Sequence, residues 1–182
     1  TNAILEGKGA KTALITTRGF RDVLELRRLR VPELFSLHYQ PPVPLVPRRR
    51  RYEADERIDA QGGVIAQLDE GSLENVLANI ADDDVDSVAI CLLHSYRNPA
   101  HETRIGEIVR DRFPHKFVTL STEVLPEIRE YERTSTTVIN AYVGPVVHDY
   151  LNSLSARLEA GGVSGPLDIM KSDGGIMSAE VA

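Results

Sequence analysis

Val85-Asp86-Ser87-Val88-Ala89-Ile90-Cys91-Leu92-Leu93 decides the fold of this 182-residue chain. From Val88 to Leu93 every position is apolar, so the run has no face for water. A strand buried on one side alternates apolar and polar residues, whereas one that is apolar throughout fits a parallel sheet covered on both sides. Working outward, Leu73, Val76, Leu77 and Ile80 recur at helical spacing before the run, and Ile105, Ile108 and Val109 after it. Ser72 reads as the cap of the first of these helices and Asp82-Asp83-Asp84 as its end. Asn98 and Pro99 open the second as N-cap and first helical residue. Phe117-Val118-Thr119-Leu120 is another short strand. Residues 71–121 therefore read α–β–α–β, the pattern of an α/β layer.

Toward the N-terminus, Thr12-Ala13-Leu14-Ile15-Thr16 reads as a buried strand, preceded by a short helix that Gly9 closes. Thr17 or Gly19 then caps a helix through Asp22, Val23, Leu24 and Leu26. Residues 31–47 are proline-rich and read as an extended connector. Residues 49–58 lead through Gln61-Gly62-Gly63 to Val64-Ile65-Ala66, a hairpin whose glycine pair supplies positive φ. Toward the C-terminus, a long helix is expected from Arg129 to Ala160, with Val143, Val147, Tyr150 or Leu151, Leu154 and Leu158 recurring at helical spacing and Gly161-Gly162 stopping it. Gly144-Pro145 is expected to kink or split that helix. Leu167-Asp168-Ile169-Met170 is a last strand leading into Ser172-Asp173-Gly174-Gly175.

Composition narrows the class. The chain is 42% hydrophobic and 26% charged, ordinary for a globular domain. No apolar run approaches the roughly 20 residues of a membrane span, and no secretory signal is present. One cysteine, Cys91, excludes an internal disulfide framework and suits a reducing cytoplasm. The net charge of -6 is uneven: residues 1–60 carry 12 Lys and Arg against 8 Asp and Glu, the remainder 9 against 19. The basic half holds Arg48-Arg49-Arg50-Arg51 without interleaved aromatics, which reads as a solvated or intersubunit face and not as a nucleic-acid surface. Both ends of the sequence read as cut, as in an internal piece of a larger protein.

Three places are candidates for chemistry. The densest is Glu127-Ile-Arg-Glu-Tyr-Glu-Arg-Thr-Ser-Thr-Thr-Val-Ile-Asn-Ala-Tyr142, which crowds charges and hydroxyls into the start of the long helix. Arg129, Glu130, Glu132 and Arg133 form either exposed pairs one turn apart or a clamp in which Arg129 or Arg133 grips a carboxylate or phosphate, with Thr134, Thr136 and Asn140 beside it. The second place is the carboxyl end of the apolar strand, where ligands bind in open α/β sheets. There His94, with His101 and Glu102 in the next helix, is a candidate metal or general-base cluster; alternatively these residues only tie down a capped loop. The third is Ser172-Asp173-Gly174-Gly175, whose backbone N–H groups suit an anion. The expected catalytic set is thus His94, Arg129, Glu130, Arg133 and Thr134. The expected substrate or phosphate contacts are Ser172, Asp173, Gly174, Gly175 and Asn140, and the candidate metal ligands are His94, His101 and Glu102. Mid-strand Cys91 reads as an inert buried thiol.

Several motifs, in order, carry a resemblance. Leu14-Ile15-Thr16-Thr17-Arg18-Gly19-Phe20-Arg21-Asp22, the proline-rich Pro44-Leu45-Val46-Pro47-Arg48 with Glu56-Arg57, and Leu92-Leu93-His94-Ser95-Tyr96-Arg97-Asn98-Pro99-Ala100-His101-Glu102 come first. They are followed by the Glu123-to-Tyr142 segment and Met170-Lys171-Ser172-Asp173-Gly174-Gly175. Together they resemble the A-type subunits of the hydantoinase/oxoprolinase family, with Lys171 departing from the family's usual glutamine. The resemblance implies an α/β fold of actin-like ATPase, ribonuclease-H-like architecture, with a mixed sheet, flanking helices and one long kinked helix. It places residues 1–128 in the family's N-terminal domain and residues 129–182 in the long helix and the start of the core domain. It implies an ATP-dependent amidohydrolase that opens cyclic amides of hydantoin or 5-oxoproline type, where phosphorylation of the carbonyl oxygen removes the donation of the ring nitrogen. ATP and Mg²⁺ would serve the parent protein, on phosphate loops outside this sequence, so that this piece alone would be inactive. A B-type subunit or domain would be its partner in an oligomer. Two further readings stay open: a subunit of an ATP-dependent ketone carboxylase, and a non-catalytic module for subunit interaction.

Overall fold

A computed structural model describes residues 2–28, 38–163, 165–170 and 174–179. Four strands form one sheet: β1 (Thr12–Thr17), β2 (Arg51–Ala54), β5 (Ser87–Cys91) and β6 (Phe117–Leu120), in the order β2-β1-β5-β6 and parallel throughout. Register sets Thr12 opposite Ser87, Leu14 opposite Arg51 and Ser87 opposite Phe117. The apolar run takes a central place as β5, and all five of its residues are buried. Its side chains alternate between two cores. Ala13, Ile15, Val88, Ile90 and Leu120 pack with Leu73, Val76, Leu77 and Ile80 of α3 (Glu70–Asp82) and with Ile105 and Val109 of α4 (Ala100–Arg112). On the opposite face, Leu14, Ala89 and Cys91 meet Leu24 of α2 (Val23–Leu26), Val46, and Val138 and Ala141 of α6 (Glu130–Ala160), which follows the short α5 (Ser121–Val124). Covering both faces is what makes β5 apolar from Val88 to Cys91, while Ser87 at its start shares a hydrogen bond with Thr12 at 2.8 Å.

The antiparallel pairs lie outside this sheet. Of residues 49–58, Arg51–Ala54 join the sheet edge as β2, and only β3 (Arg57–Ile58) turns back on β4 (Val64–Ala66). Gly62, at φ 92°, makes that turn; Gly63 is not in the left-handed region. The second pair is β7 (Asp168–Met170) with β8 (Ile176–Ser178), a partner strand that the sequence reading did not anticipate.

Several caps differ from expectation. Asp69, not Ser72, caps α3: its carboxylate accepts from the N–H groups of Gly71 (3.0 Å) and Ser72 (3.1 Å). A residue just outside the helix presents its side chain to those first free donors, which Ser72 inside it does not. Gly7, at φ 66°, and not Gly9, closes α1 (Asn2–Leu5). Asp22, without a side-chain cap bond, takes the N-cap position of α2, because the helix begins only at Val23, beyond the reach of Thr17 or Gly19. Pro99, expected as the first helical residue, holds the N-cap position of α4 in place of Asn98; Asn98, one residue earlier, still accepts from the Ala100 N–H at 3.1 Å.

Helix α6 is a single 31-residue element with Pro145 inside it, so Gly144-Pro145 does not split it. Just before that proline, the Tyr142 carbonyl accepts the Ala10 N–H at 2.8 Å. The chain forms two compact units, Ala10–Tyr142, and Thr1–Gly9 with Val143–Ala182; their boundary falls within α6. The first unit holds the parallel sheet, and the second holds α1, the latter part of α6 and the β7–β8 pair. Among the described residues no helix is long and apolar enough to cross a membrane.

Candidate functional site

In the unit Ala10–Tyr142, a polar lattice lies at the carboxyl ends of β1 and β5, where the strands hand over to loops and helix starts. Its acidic member is Glu102 in the first turn of α4, 0% exposed. The Glu102 carboxylate accepts from the Leu92 N–H, the Ser121 hydroxyl and the Thr122 N–H, each at 2.9 Å. Its basic member is Arg133 in the first turn of α6, 2% exposed. Arg133 donates from Nη1 to Ser95 Oγ and from Nη2 to the Leu92 carbonyl, both at 2.6 Å, and its guanidinium carbon lies 5.4 Å from the Tyr96 ring centre. Ser95 Oγ and Ser121 Oγ are 3.2 Å apart. The two buried charges are therefore joined through two hydroxyls and the Leu92 peptide instead of by direct contact. Such groups persist in an apolar interior only when hydrogen bonds replace the water they have lost.

A second chain of contacts runs beside the first. The Leu93 N–H donates to Thr17 Oγ1 at 2.9 Å, and the Thr17 hydroxyl donates to Glu56. Glu56 Oε2 meets His101 Nδ1 at 2.8 Å. Leu92 and Leu93 are thus held by side chains from β1, α4 and α6, and the chain then turns through His94 at φ 58°, a left-handed conformation that few residues other than glycine adopt. The His94 carbonyl accepts from Arg97 N–H (2.9 Å) and Asn98 N–H (3.2 Å), and its ring meets Tyr96 edge-on with centroids 6.0 Å apart. Thr134 Oγ1 lies 3.3 Å from Cys91 Sγ, and burial pushes the Cys91 thiol up, in keeping with an inert thiol. Beside Arg133 is a narrow cleft lined by Thr16, Phe20, Val23, Leu93, Glu130 and Thr134 among others, with free space of about 10 Å³, the scale of one water molecule.

The expected residues divide accordingly. His94, Arg133 and Thr134 come together at the strand ends, with Glu130 on the cleft rim. Arg129 is exposed at φ 95°, and its carbonyl accepts the Arg133 N–H. Of the two arginines expected to grip an anion, Arg133 turns inward and uses both terminal nitrogens on Ser95 and Leu92. Glu132 pairs outward with Arg28, whose guanidinium holds the Glu132 carboxyl below its usual range. Asn140 is occupied elsewhere, its Oδ1 accepting from Thr119 Oγ1 at 3.0 Å. The proposed metal cluster does not assemble: His101 Nδ1 faces Glu56, the Glu102 oxygens are filled, and no group of three metal-ligating side chains occurs among the described residues. Ser172 and Asp173, with Lys171, lie outside the described residues; Gly174, at φ 85°, and Gly175 precede β8. Thr17, Glu56, Ser95 and Ser121 escaped the site reading of the sequence. Thr17 and Glu56 stand in stretches that signal only strand and turn, and their meeting is a product of the fold.

A parallel α/β layer with buried polar groups gathered at the carboxyl ends of its strands has the form of a ligand-handling domain. The chain matches the hydantoinase/oxoprolinase N-terminal region over residues 1–113 and the hydantoinase/oxoprolinase model over residues 133–182. It belongs to the hydantoinase/oxoprolinase family. It is 38% identical to the caprolactamase alpha subunit of Pseudomonas jessenii over 96% of its own length and 25% of that protein. It is 35% identical to the 5-oxoprolinase of Saccharomyces cerevisiae over 97% of its length and 16% of that protein. The crystal structure of the ATP-dependent caprolactamase from Pseudomonas jessenii superposes with a TM-score of 0.90 over 96% of this chain and 26% of that one. The nucleotide-free acetone carboxylase structure does so with a TM-score of 0.85 at 27% identity, over 98% of this chain and 27% of that one. The chain thus spans about a quarter of the length of these structural neighbours.

Proposed function

We propose that this chain is part of an ATP-dependent enzyme that hydrolyses cyclic amides. The observation that carries the reading is its 38% identity and TM-score of 0.90 to the caprolactamase over nearly all of its length. The 35% identity to a 5-oxoprolinase supports the same substrate class. ATP and Mg²⁺ serve the whole protein, in the cytoplasm, with a B-type subunit or domain as partner. Both terminal nitrogens of Arg133 are engaged within the chain, so Arg133 is not free to clamp a phosphate. On this reading the phosphate loops belong to other residues of the protein, and the contribution of this chain is on the substrate side. Arg133 and His94 at the strand ends face the amide, Glu130 and Thr134 line the approach, and the Glu102 lattice holds the loop that presents them. Gly174-Gly175 is a further candidate contact.

The acetone carboxylase neighbour supports a second reading, activation of a ketone for carboxylation. Assaying the full-length protein with its partner subunit against caprolactam, 5-oxoproline, hydantoin, and acetone with bicarbonate separates the two. ATP turnover that depends on a cyclic amide is the expected result. Turnover that requires a ketone and bicarbonate instead moves the protein to the carboxylase branch.

A further inference from the structure

His94 combines two uncommon features. Its backbone stands at φ 58°, and its Nδ1 is buried without a hydrogen-bond partner among the described residues. A residue other than glycine keeps such a conformation only where its surroundings over-determine it. The two residues before it supply that restraint. Leu92 is held at its N–H by Glu102 (2.9 Å) and at its carbonyl by Arg133 (2.6 Å). The Leu93 N–H, the last main-chain donor ahead of His94, goes to Thr17 Oγ1 at 2.9 Å. Thr17 is 0% exposed and has a single proton to give. It gives that proton to Glu56, so its oxygen presents a lone pair to Leu93. Glu56 is fixed in turn from its far side, where its other oxygen meets His101 Nδ1 at 2.8 Å. It also stands just ahead of β3, whose hairpin is tied to the loop after His94 by a bond from Asn98 Nδ2 to the Gly62 carbonyl at 2.9 Å.

Stability alone does not call for this chain of contacts. Apolar side chains of the same volume fill an interior as well as a buried ionised network does, or better. Yet Thr17, Glu56 and His101, all buried and drawn from the end of β1, the approach to β3 and the first turn of α4, are linked in series to one peptide N–H. We propose that Glu56 is a positioning residue: acting through the Thr17 hydroxyl and the Leu93 N–H, it holds the turn that carries His94 in its left-handed conformation. Glu102 and Arg133 fix the peptide before that turn, and Glu56 with Thr17 fixes the one that enters it. Glu56 and Thr17 do no chemistry themselves. The inference rests on the reading of His94 as a substrate-side residue, and it assigns what sets the place of that residue.

Thr17→Val and Thr17→Ser in the full-length protein with its partner test it, since valine keeps the shape of threonine without the hydroxyl and serine keeps the hydroxyl. Thr17→Val should lower kcat for caprolactam about 10–100-fold with KM within about twofold, the signature of a displaced reacting group. Thr17→Ser should restore most of the rate. Amide hydrogen exchange reads the same turn without any turnover: Thr17→Val should speed exchange at the Leu93 N–H about tenfold, the worth of one hydrogen bond, while Val88 to Cys91 stay protected. Glu56→Leu should reproduce both effects, because Thr17 then has no acceptor to orient it. Unchanged exchange at Leu93 in Thr17→Val, or a lowered kcat that serine does not restore, overturns the proposal. So does wild-type turnover by a Thr17→Val protein whose turn has opened. A wild type that turns over no lactam removes the cyclic-amide reading, and faster exchange at Leu93 in both Thr17→Val and Glu56→Leu then still supports a turn held by Glu56.

Discussion

At the scale of single residues, Arg133 and Glu102 carry the largest consequences. Each is a buried charge whose nearest opposite charge is reached only through hydroxyls, so removing one leaves the other uncompensated. Arg133→Met is expected to lower stability by about 3–5 kcal/mol in chemical denaturation. Arg133→Lys should not restore it, because one ammonium cannot reach both Ser95 Oγ and the Leu92 carbonyl in the geometry of the planar fork. Glu56 is a quieter member: Glu56→Leu strands the Thr17 hydroxyl and His101 Nδ1 together, and about 2–4 kcal/mol of destabilisation is expected by the same measurement. What the sequence allowed to be read at this scale was uneven. The crowding of polar groups before Val138 marked Arg133 and Thr134, and the LHSY stretch marked His94, because those residue types are out of place in a packed element. Thr17, Glu56 and Ser95 lie in motifs that carry the resemblance, but with Ser121 they form a lattice only when strands 75 residues apart are paired.

At the scale of elements, tight approach and burial give the tests. A Cβ added at Gly106 of α4 would stand 2.9 Å from Leu120 Cδ1 on β6, and Leu120 is itself buried. Gly106→Val should therefore cost about 1–3 kcal/mol by overpacking, seen as a lowered denaturation midpoint. Asp69→Ala, which removes the cap of α3, should cost about 1 kcal/mol. Tyr52 on β2 has a phenol raised by burial and by its hydrogen bond to Asp83, so folding favours the neutral form. Its contribution is fully present below the ordinary phenol value of about 10 and is lost as the pH rises through the higher folded value. Stability measured from pH 9 upward should fall in the wild type by more than in Tyr52→Phe. Element types were legible where periodicity was strong, as in α3, β5, α4 and the long α6. The start of α3 was misplaced because Asp69 and Ser72 are both good caps, and only three-dimensional position selects between them. β8 was passed over because Ile176–Ser178 is too short to show alternation.

At the scale of the whole molecule, most of the basic run is paired within the chain. Arg48 pairs with Asp22 at 2.8 Å, Arg51 is buried and pairs with Glu25 at 2.9 Å, and Arg50 lies 3.9 Å from Asp83. Reversing Arg49, an exposed member of the run, should therefore leave assembly with a partner subunit unchanged, as read by co-elution of the full-length proteins. Since the chain spans about a quarter of its structural neighbours, residues 1–182 alone should show no lactam-dependent ATP hydrolysis, while the full-length protein with its partner does. The strand order also sets a timetable for synthesis. β1 stands between β2 and β5, yet its partner Ser87 follows Thr12 by 75 residues. At the usual pace of translation, about 5–20 residues per second, Thr12–Thr17 waits roughly 4–15 s before its inner neighbour has been made. During that interval a segment that ends buried at all six positions has at most one of its two neighbouring strands, so the sheet can close around it only after Cys91 has been made.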